Sequence, residues 1–280
     1  MGTIECNDGT AVISGEWNAL ELGNEIPRDI RHVVFDDAKL SSGYSVFADC
    51  YQLEDVRGTV DMSDVRYMTE MFYNCRSLEY IDCADWDVGN VLDAGYAFKG
   101  CDSLEYIDVS KWDTSRVEDM FAMFAGCGSL ERLDVSRWDV SRVENTARMF
   151  AGCESLENID CADWDTSRVE AMSKMFYNCR TLKSIDCGNW DVSSVKRMVG
   201  MFDGCRSLER LDLSSFSPDM QKRIVSTSED CPALGSIVAE SVLSPNAAAV
   251  ERGKEDKAVS PDTAVRPRCP QKTEAKGKNR

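Results

Sequence analysis

The sequence predicts a stacked α/β repeat, with one short strand per coil in a single parallel β-sheet and short helical or 3-10 segments on the opposite side. Three observations predict it. A Phe-x-x-Cys pair recurs at Phe47/Cys50, Phe72/Cys75, Phe98/Cys101, Phe124/Cys127, Phe150/Cys153, Phe176/Cys179 and Phe202/Cys205, and Cys231 continues the series without its Phe. The cysteines are spaced by 25 and then six times by 26 residues, a period that marks stacked supersecondary units rather than a closed globule. Each period also holds an L-x-x-L-x-L run followed by apolar residues at helical spacing.

In chain order, residues 1–49 read as an N-terminal cap. Gly9 and Gly15 flank a β-prone run, and His32-Val-Val-Phe35 reads as a strand. A solenoid needs such a cap to cover its first apolar coil. Residues 50–239 read as the repeat array. Its closing cap starts at about residue 217, where Pro218 opens a short helix carrying Met220, Ile224 and Val225, Pro being favoured in a first helical turn. Residues 240–280 are polar and rich in Ala, Pro and Lys, and are expected to form a disordered tail.

The coil from Cys101 to Gly126 shows the unit. Leu104, Ile107 and Val109 form the strand half of a leucine-rich repeat and face inward, while Tyr106 and Asp108 alternate outward. Trp112 follows, in a column with Trp86, Trp138, Trp164, Trp190 and finally Phe216. Val117, Met120, Met123 and Phe124 then fall at helical spacing, and Ser115/Glu118, repeated as Ser141/Glu144 and Ser167/Glu170, reads as a capping box. Gly or Asn precedes the column's cysteines from Cys75 to Cys205, as at Asn74, Gly100, Gly126 and Asn178, and supplies a left-handed stop. The architecture is thus leucine-rich-repeat-like.

The units MF-x-G-C-x-S-L-x-x-x-D-V-S-x-W-D-x-S-x-V-x-x-M, best seen at Met149–Met172 and Met175–Met198, resemble the BspA-like surface-protein repeats of gut and oral bacteria and mycoplasmas. The resemblance runs from about Val33 to Leu213. It implies an extracellular, cell-attached protein that acts in adhesion or partner binding. No secretory signal or anchor is visible in the sequence; a cytoplasmic location is expected if these ends are complete.

Composition narrows the function classes. The net charge is -17 and the pI about 4.5. Nucleic-acid binding is therefore not expected, because phosphate contacts need a basic footprint. No apolar run is long enough to span a bilayer. The 13 cysteines lack C-x-x-C spacing, so zinc is not expected. Most form the periodic column and read as buried free thiols; Cys161 with Cys187, in adjacent coils, is the one plausible disulfide. The single histidine, His32, and the lack of nucleophile or phosphate motifs argue against an enzyme. No cofactor is expected, and the chain is expected to be a monomer.

Function is expected on the columns that vary or repeat on the exposed strand. Two residues past each strand Leu stand Tyr80, Tyr106, Arg132, Asn158, Ser184 and Arg210. Variation on a regular exposed strand suits recognition, and Tyr and Arg are enriched at binding hot spots; free drift of an exposed position is the bland reading. Beside them runs Asp82, Asp108, Asp134, Asp160, Asp186 and Asp212. Like charges about 5 Å apart cost ~1 kcal/mol in water and ~3 kcal/mol at an effective dielectric of 20. These carboxylates are expected to accept bonds from the following turn; a cation such as Ca²⁺ between coils is the alternative. A second acid column, Asp87, Asp113, Asp139, Asp165 and Asp191, reads as Asx turns. The Trp column reads as corner packing, with a carbohydrate platform as the alternative. The expected partner is a host or microbial surface protein or glycan, bound through the strand face. The alternatives are a structural spacer, or a glycan-binding module using stacked Trp and Tyr.

Overall fold

The structure, a computed structural model, describes residues 2–231. The polar tail expected from residue 240 lies outside them. The described chain is a solenoid of short coils, as the period requires. It opens with β1 (Thr3–Asn7) and β2 (Thr10–Trp17), an antiparallel hairpin, followed by α1 (Ala19–Glu25) and β3 (His32–Leu40). The repeats contribute β4 (Asp55–Asp61), β5 (Tyr80–Ile81), β6 (Ser184–Asp186) and β7 (Arg210–Asp212). Strands β1 to β5 lie side by side in sequence order, and all pairs after the first are parallel. Between β5 and β6 the ladder is reduced to single parallel bridges, such as Tyr106↔Arg132 and Asn158↔Ser184.

Helix α1 was not evident from the apolar pattern. Its signal is local: the Asn18 side chain accepts the Glu21 N–H at 2.9 Å, a cap with an acid three residues on. The closing helix, α2 (Pro218–Thr227), starts where Pro218 was expected to start it, capped by Ser217. Ile224 is buried on its inner face, and Gln221 donates to the Leu213 and Phe216 carbonyls.

Of the two forms expected for the segment opposite the strands, it takes the tighter, 3-10-like one, a run of i→i−3 turns, and not the α-helix. Within Met68–Cys75, Met71, Tyr73 and Cys75 donate to carbonyls three residues back at 3.0–3.2 Å. The alternate N–H groups of Met68, Glu70, Phe72 and Asn74 cross to Asp93, Gly95, Ala97 and Lys99 of the next coil at 2.7–3.0 Å. A helix would direct its bonds within its own segment; stacking offers half of the donors a partner in the adjacent coil. The same four-bond pattern recurs at Ala94–Gly100, Met120–Gly126, Thr146–Gly152 and Met172–Asn178, always from one coil to the following one. The capping boxes fail for the same reason, since the Glu118, Glu144 and Glu170 N–H groups bond carbonyls of the preceding coil. The apolar spacing at 117, 120, 123 and 124 nevertheless marks the inward side chains, all buried.

Each run of turns needs left-handed residues. Asn74, Gly100, Gly126, Gly152, Asn178 and Gly204 have φ between +57° and +79°, as expected of the Gly/Asn column. A second left-handed column holds Glu70, Tyr96, Ala122, Arg148 and Lys174 at φ +52° to +60°, and only its last member, Gly200, is glycine.

The core is a set of side-chain stacks running along the solenoid. Phe47 to Phe202 form one column with ring centroids 5.1–6.1 Å apart. The Trp column stacks beside it at 6.3–6.4 Å where pairs are resolved, with every ring at most 6% exposed. The indole N–H groups of Trp112, Trp138, Trp164 and Trp190 donate to Cys83, Val109, Val135 and Cys161 carbonyls at 2.8–3.1 Å.

The cysteine column has its own chemistry. The Cys101 thiol donates to the Phe72 carbonyl at 3.3 Å, and that oxygen also accepts the Cys75 N–H at 3.2 Å. The pattern repeats from Cys75 to Cys205, so one Phe carbonyl closes its own turn and receives the thiol of the next coil. Burial pushes the thiols of Cys101, Cys127, Cys153 and Cys179 well above their ordinary range, which removes thiolate reactivity. Cys161 and Cys187 are both free and buried, not bridged.

Candidate functional site

The strand ladder fixes the exposed face. Residue Asp55 pairs with Tyr80, Tyr106 with Arg132, Asn158 with Ser184, and Ser184 with Arg210. Parallel register thus aligns Tyr106 with Arg132, and Asn158 with Ser184 and Arg210, and the 26-residue period puts Tyr80 at the same position of its coil. Tyr80 is 42% and Tyr106 51% exposed; Arg132, Asn158 and Arg210 are exposed, and Ser184 is half-buried. On the inner side of the same strands, Ile81, Ile107, Leu133, Ile159, Ile185 and Leu211 are buried.

The neighbouring acid column keeps the same register. Asp82, Asp134, Asp160 and Asp186 are exposed, and Asp108 and Asp212 half-buried. Asp108 accepts the Ser110 hydroxyl at 2.7 Å, Asp134 the Ser136 hydroxyl at 2.7 Å, Asp186 the Gly188 N–H at 2.9 Å, and Asp212 the Ser214 N–H at 2.8 Å. The carboxylates thus bond into the following turn, the local arrangement expected of Asp. Asp82 and Asp160 are followed by Ala84 and Ala162 and lack a hydroxyl partner there. Among the described residues, no group of three or more His, Cys, Asp or Glu has the arrangement to hold a metal ion.

The second acid column forms Asx turns throughout. Asp87, Asp113, Asp139, Asp165 and Asp191 each accept the N–H two residues on, at 2.9–3.2 Å. Ser115 and Ser193 bond the ionised carboxyls of Asp113 and Asp191 through side chain and backbone and hold them below the usual carboxylate range. The Trp column offers no carbohydrate platform, because its rings are buried and stacked on one another.

Three groups at the cap end were missed from the sequence. His32 pairs with Asp55 in the ladder, and its Nδ1 lies 2.8 Å from the Asp55 carboxylate. Arg57 Nε donates to the other Asp55 oxygen at 2.8 Å. The Arg57 guanidinium sits over the Tyr80 ring, 4.8 Å from its centroid. The Asp82 N–H bonds the Val56 carbonyl, so Arg57 occupies, one coil earlier, the column of Asp82 and Asp108. Arg57 stands seven residues after Cys50, as Asp82 does after Cys75, so the repeat gives its column, while its contacts to Asp55 and Tyr80 come from the structure.

A second ladder lies on the turn side: Tyr67, Asp93, Asp119, Asn145, Ala171 and Arg197. Asp93 and Asp119 accept the Gly95 and Phe121 N–H groups, and burial raises the Asp119 carboxyl above its ordinary value. Near it, Ala122, Ala125 and Ala151 form a small apolar cluster with Tyr96, Phe121 and Tyr177. Among the described residues, no helix is long and apolar enough to cross a membrane.

Comparison with known proteins places this geometry in context. No curated protein matches the chain. Solved structures similar to it include a leucine-rich cell surface protein from Faecalibacterium prausnitzii, at 17% identity and a TM-score of 0.37, covering 74% of this chain and 52% of that one. A leucine-rich-repeat protein of Leptospira interrogans matches at 14% identity and a TM-score of 0.33, covering 73% of this chain and 54% of that one. The chain spans about half the length of these two proteins. A family model matches in overlapping copies over residues 41–159, 95–216 and 149–234. The chain belongs to that family, described as Mycoplasma protein of unknown function, DUF285.

Proposed function

We propose that the chain is a non-enzymatic, BspA-like binding module of a bacterial cell surface that adheres to a host or microbial surface protein through its exposed strand face. The observation that carries this reading is the contrast between two adjacent sets of positions. The buried residue next to the outer column is Ile or Leu in every coil from Ile81 to Leu211, while the outer column itself presents Tyr80, Tyr106, Arg132, Asn158, Ser184 and Arg210. A rigid surface carrying differing side chains is suited to recognition.

The test is adhesion of beads coated with the full chain to cultured epithelial cells and to bacterial cells. Joint replacement of Tyr80, Tyr106, Arg132 and Arg210 by alanine should abolish adhesion while the thermal unfolding midpoint stays unchanged. Undiminished adhesion by the folded variant would sink the strand-face reading. No adhesion by the parent chain would point instead to a spacer, and adhesion blocked by free sugars to a glycan partner.

A further inference from the structure

At the cap end, the strand face carries a guanidinium site that the chain fills with its own residue. Arg57 lies over the Tyr80 ring at 4.8 Å, steered by its 2.8 Å bond to Asp55. One coil on, the same position of the repeat holds Tyr106, 51% exposed. The residue standing where Arg57 stands is now Asp82. The chain thus replaces the covering cation by a carboxylate, and among the described residues no cation sits over the Tyr106 ring. Asp108 and Asp134 both act electrostatically on the Tyr106 hydroxyl. Exposed Glu79, Glu105 and Glu131 precede the Tyr80, Tyr106 and Arg132 positions. The one cation beside Tyr106 in the ladder, Arg132, is within electrostatic reach of Glu157 on the following coils.

An aromatic face bordered by carboxylates attracts a cation in two ways. The ring quadrupole binds a guanidinium or ammonium, and the surrounding negative potential raises its local concentration. Arg suits the site better than Lys, because a planar guanidinium stacks on a ring and forks to carboxylates at once. We infer that Tyr106, with Asp82, Asp108 and Asp134, receives an arginine side chain from an extended, basic segment of the partner protein. At Tyr106 the partner supplies in trans what Arg57 supplies in cis at Tyr80. This inference rests on the strand-face reading above and names the partner chemistry of that face.

The experiment titrates the full chain with a short oligo-arginine peptide, and with oligo-lysine and oligo-glutamate peptides of equal length, by calorimetry at low and at physiological salt. Oligo-arginine should bind most tightly, oligo-glutamate should not bind, and affinity should fall with salt. Tyr106→Leu should weaken oligo-arginine binding about two- to fivefold, while Tyr106→Phe, which keeps the ring, should retain it. The exposed position makes both variants safe for folding, which a thermal melt verifies. An unchanged affinity in Tyr106→Leu, or an equal loss in Glu118→Gln on the turn side, would overturn the inference by reducing the binding to net charge. Absence of peptide binding would overturn it too. Should adhesion still depend on the four-residue replacement, the strand-face reading would survive that failure; should neither depend on this face, both fall.

Discussion

At the residue scale, the cysteines show how a chemical-looking motif serves packing. A thiol is small enough for the gap behind each turn, yet it still donates to a carbonyl that already holds one bond. Cys127 is fully buried, and its Sγ lies 3.1 Å from the Phe98 oxygen. Cys127→Ala should therefore cost about 1–2 kcal/mol, combining a lost bond with a small cavity. Exposed Cys6, replaced in the same way, should change nothing. Urea denaturation of both variants checks this, and equal midpoints would show that the thiol–carbonyl bond carries no stability. The Asx turns and the buried Trp stack were readable from the sequence, because W-D-x-S repeats a local bonding pattern in every coil. The role of Arg57 was not readable: the Cys50-to-Cys75 step gives its column, but its bond to Asp55 and its place over the Tyr80 ring depend on side-chain geometry.

At the scale of the element, the strand half was legible outright, and the opposite half only as a choice between a helix and a tighter 3-10 run. Val117, Met120, Met123 and Phe124 mark one buried face in a helix and in a run of β-turns alike, so their spacing cannot separate the two. The deciding factor is the destination of alternate N–H groups, which depends on the neighbouring coil. One consequence is measurable within a single turn segment. Arg148 holds a left-handed φ of +60° although it carries a Cβ, and it is exposed. Arg148→Gly should stabilise the protein by about 0.5–1 kcal/mol, the relief of strain outweighing the entropy of the unfolded chain. Gly126→Ala, at φ +78° and with room for a Cβ at 3.6 Å from the Gly100 backbone, should destabilise by about 1–2 kcal/mol through its backbone conformation. Thermal melts of the two variants should move in opposite directions; a shift of both the same way would contradict the turn assignment.

At the scale of the whole molecule, charge sets the response to pH. With a net charge of -17 at pH 7, self-repulsion opposes the compact state and eases as the pH falls toward the pI of about 4.5. The Asx-turn carboxyls act in the opposite sense. Asp113 and Asp191 are held below their ordinary value, so the stability they add is present above the unfolded value and is lost as pH falls through the depressed folded value. Stability should thus rise from pH 7 toward pH 4.5 and fall at lower pH, and added salt should stabilise at pH 7 but little at the pI. A denaturation midpoint that declines steadily from pH 7 would refute the charge account. The crossing N–H groups on the turn side have a further electrostatic consequence. At each interface four of them point forward, from the Met68–Asp93 crossing to the Met172–Arg197 crossing, against one or two that point back, as those of Glu118 and Glu144 do. The forward excess sums as the dipoles of a helix do, which gives the turn side a positive pole at its C-terminal coil. There the Asp203 carboxylate accepts the Glu229 N–H at 3.1 Å, and Asp230 lies beside Arg206. Acids at that pole stand to the whole solenoid as an N-cap aspartate stands to a single helix.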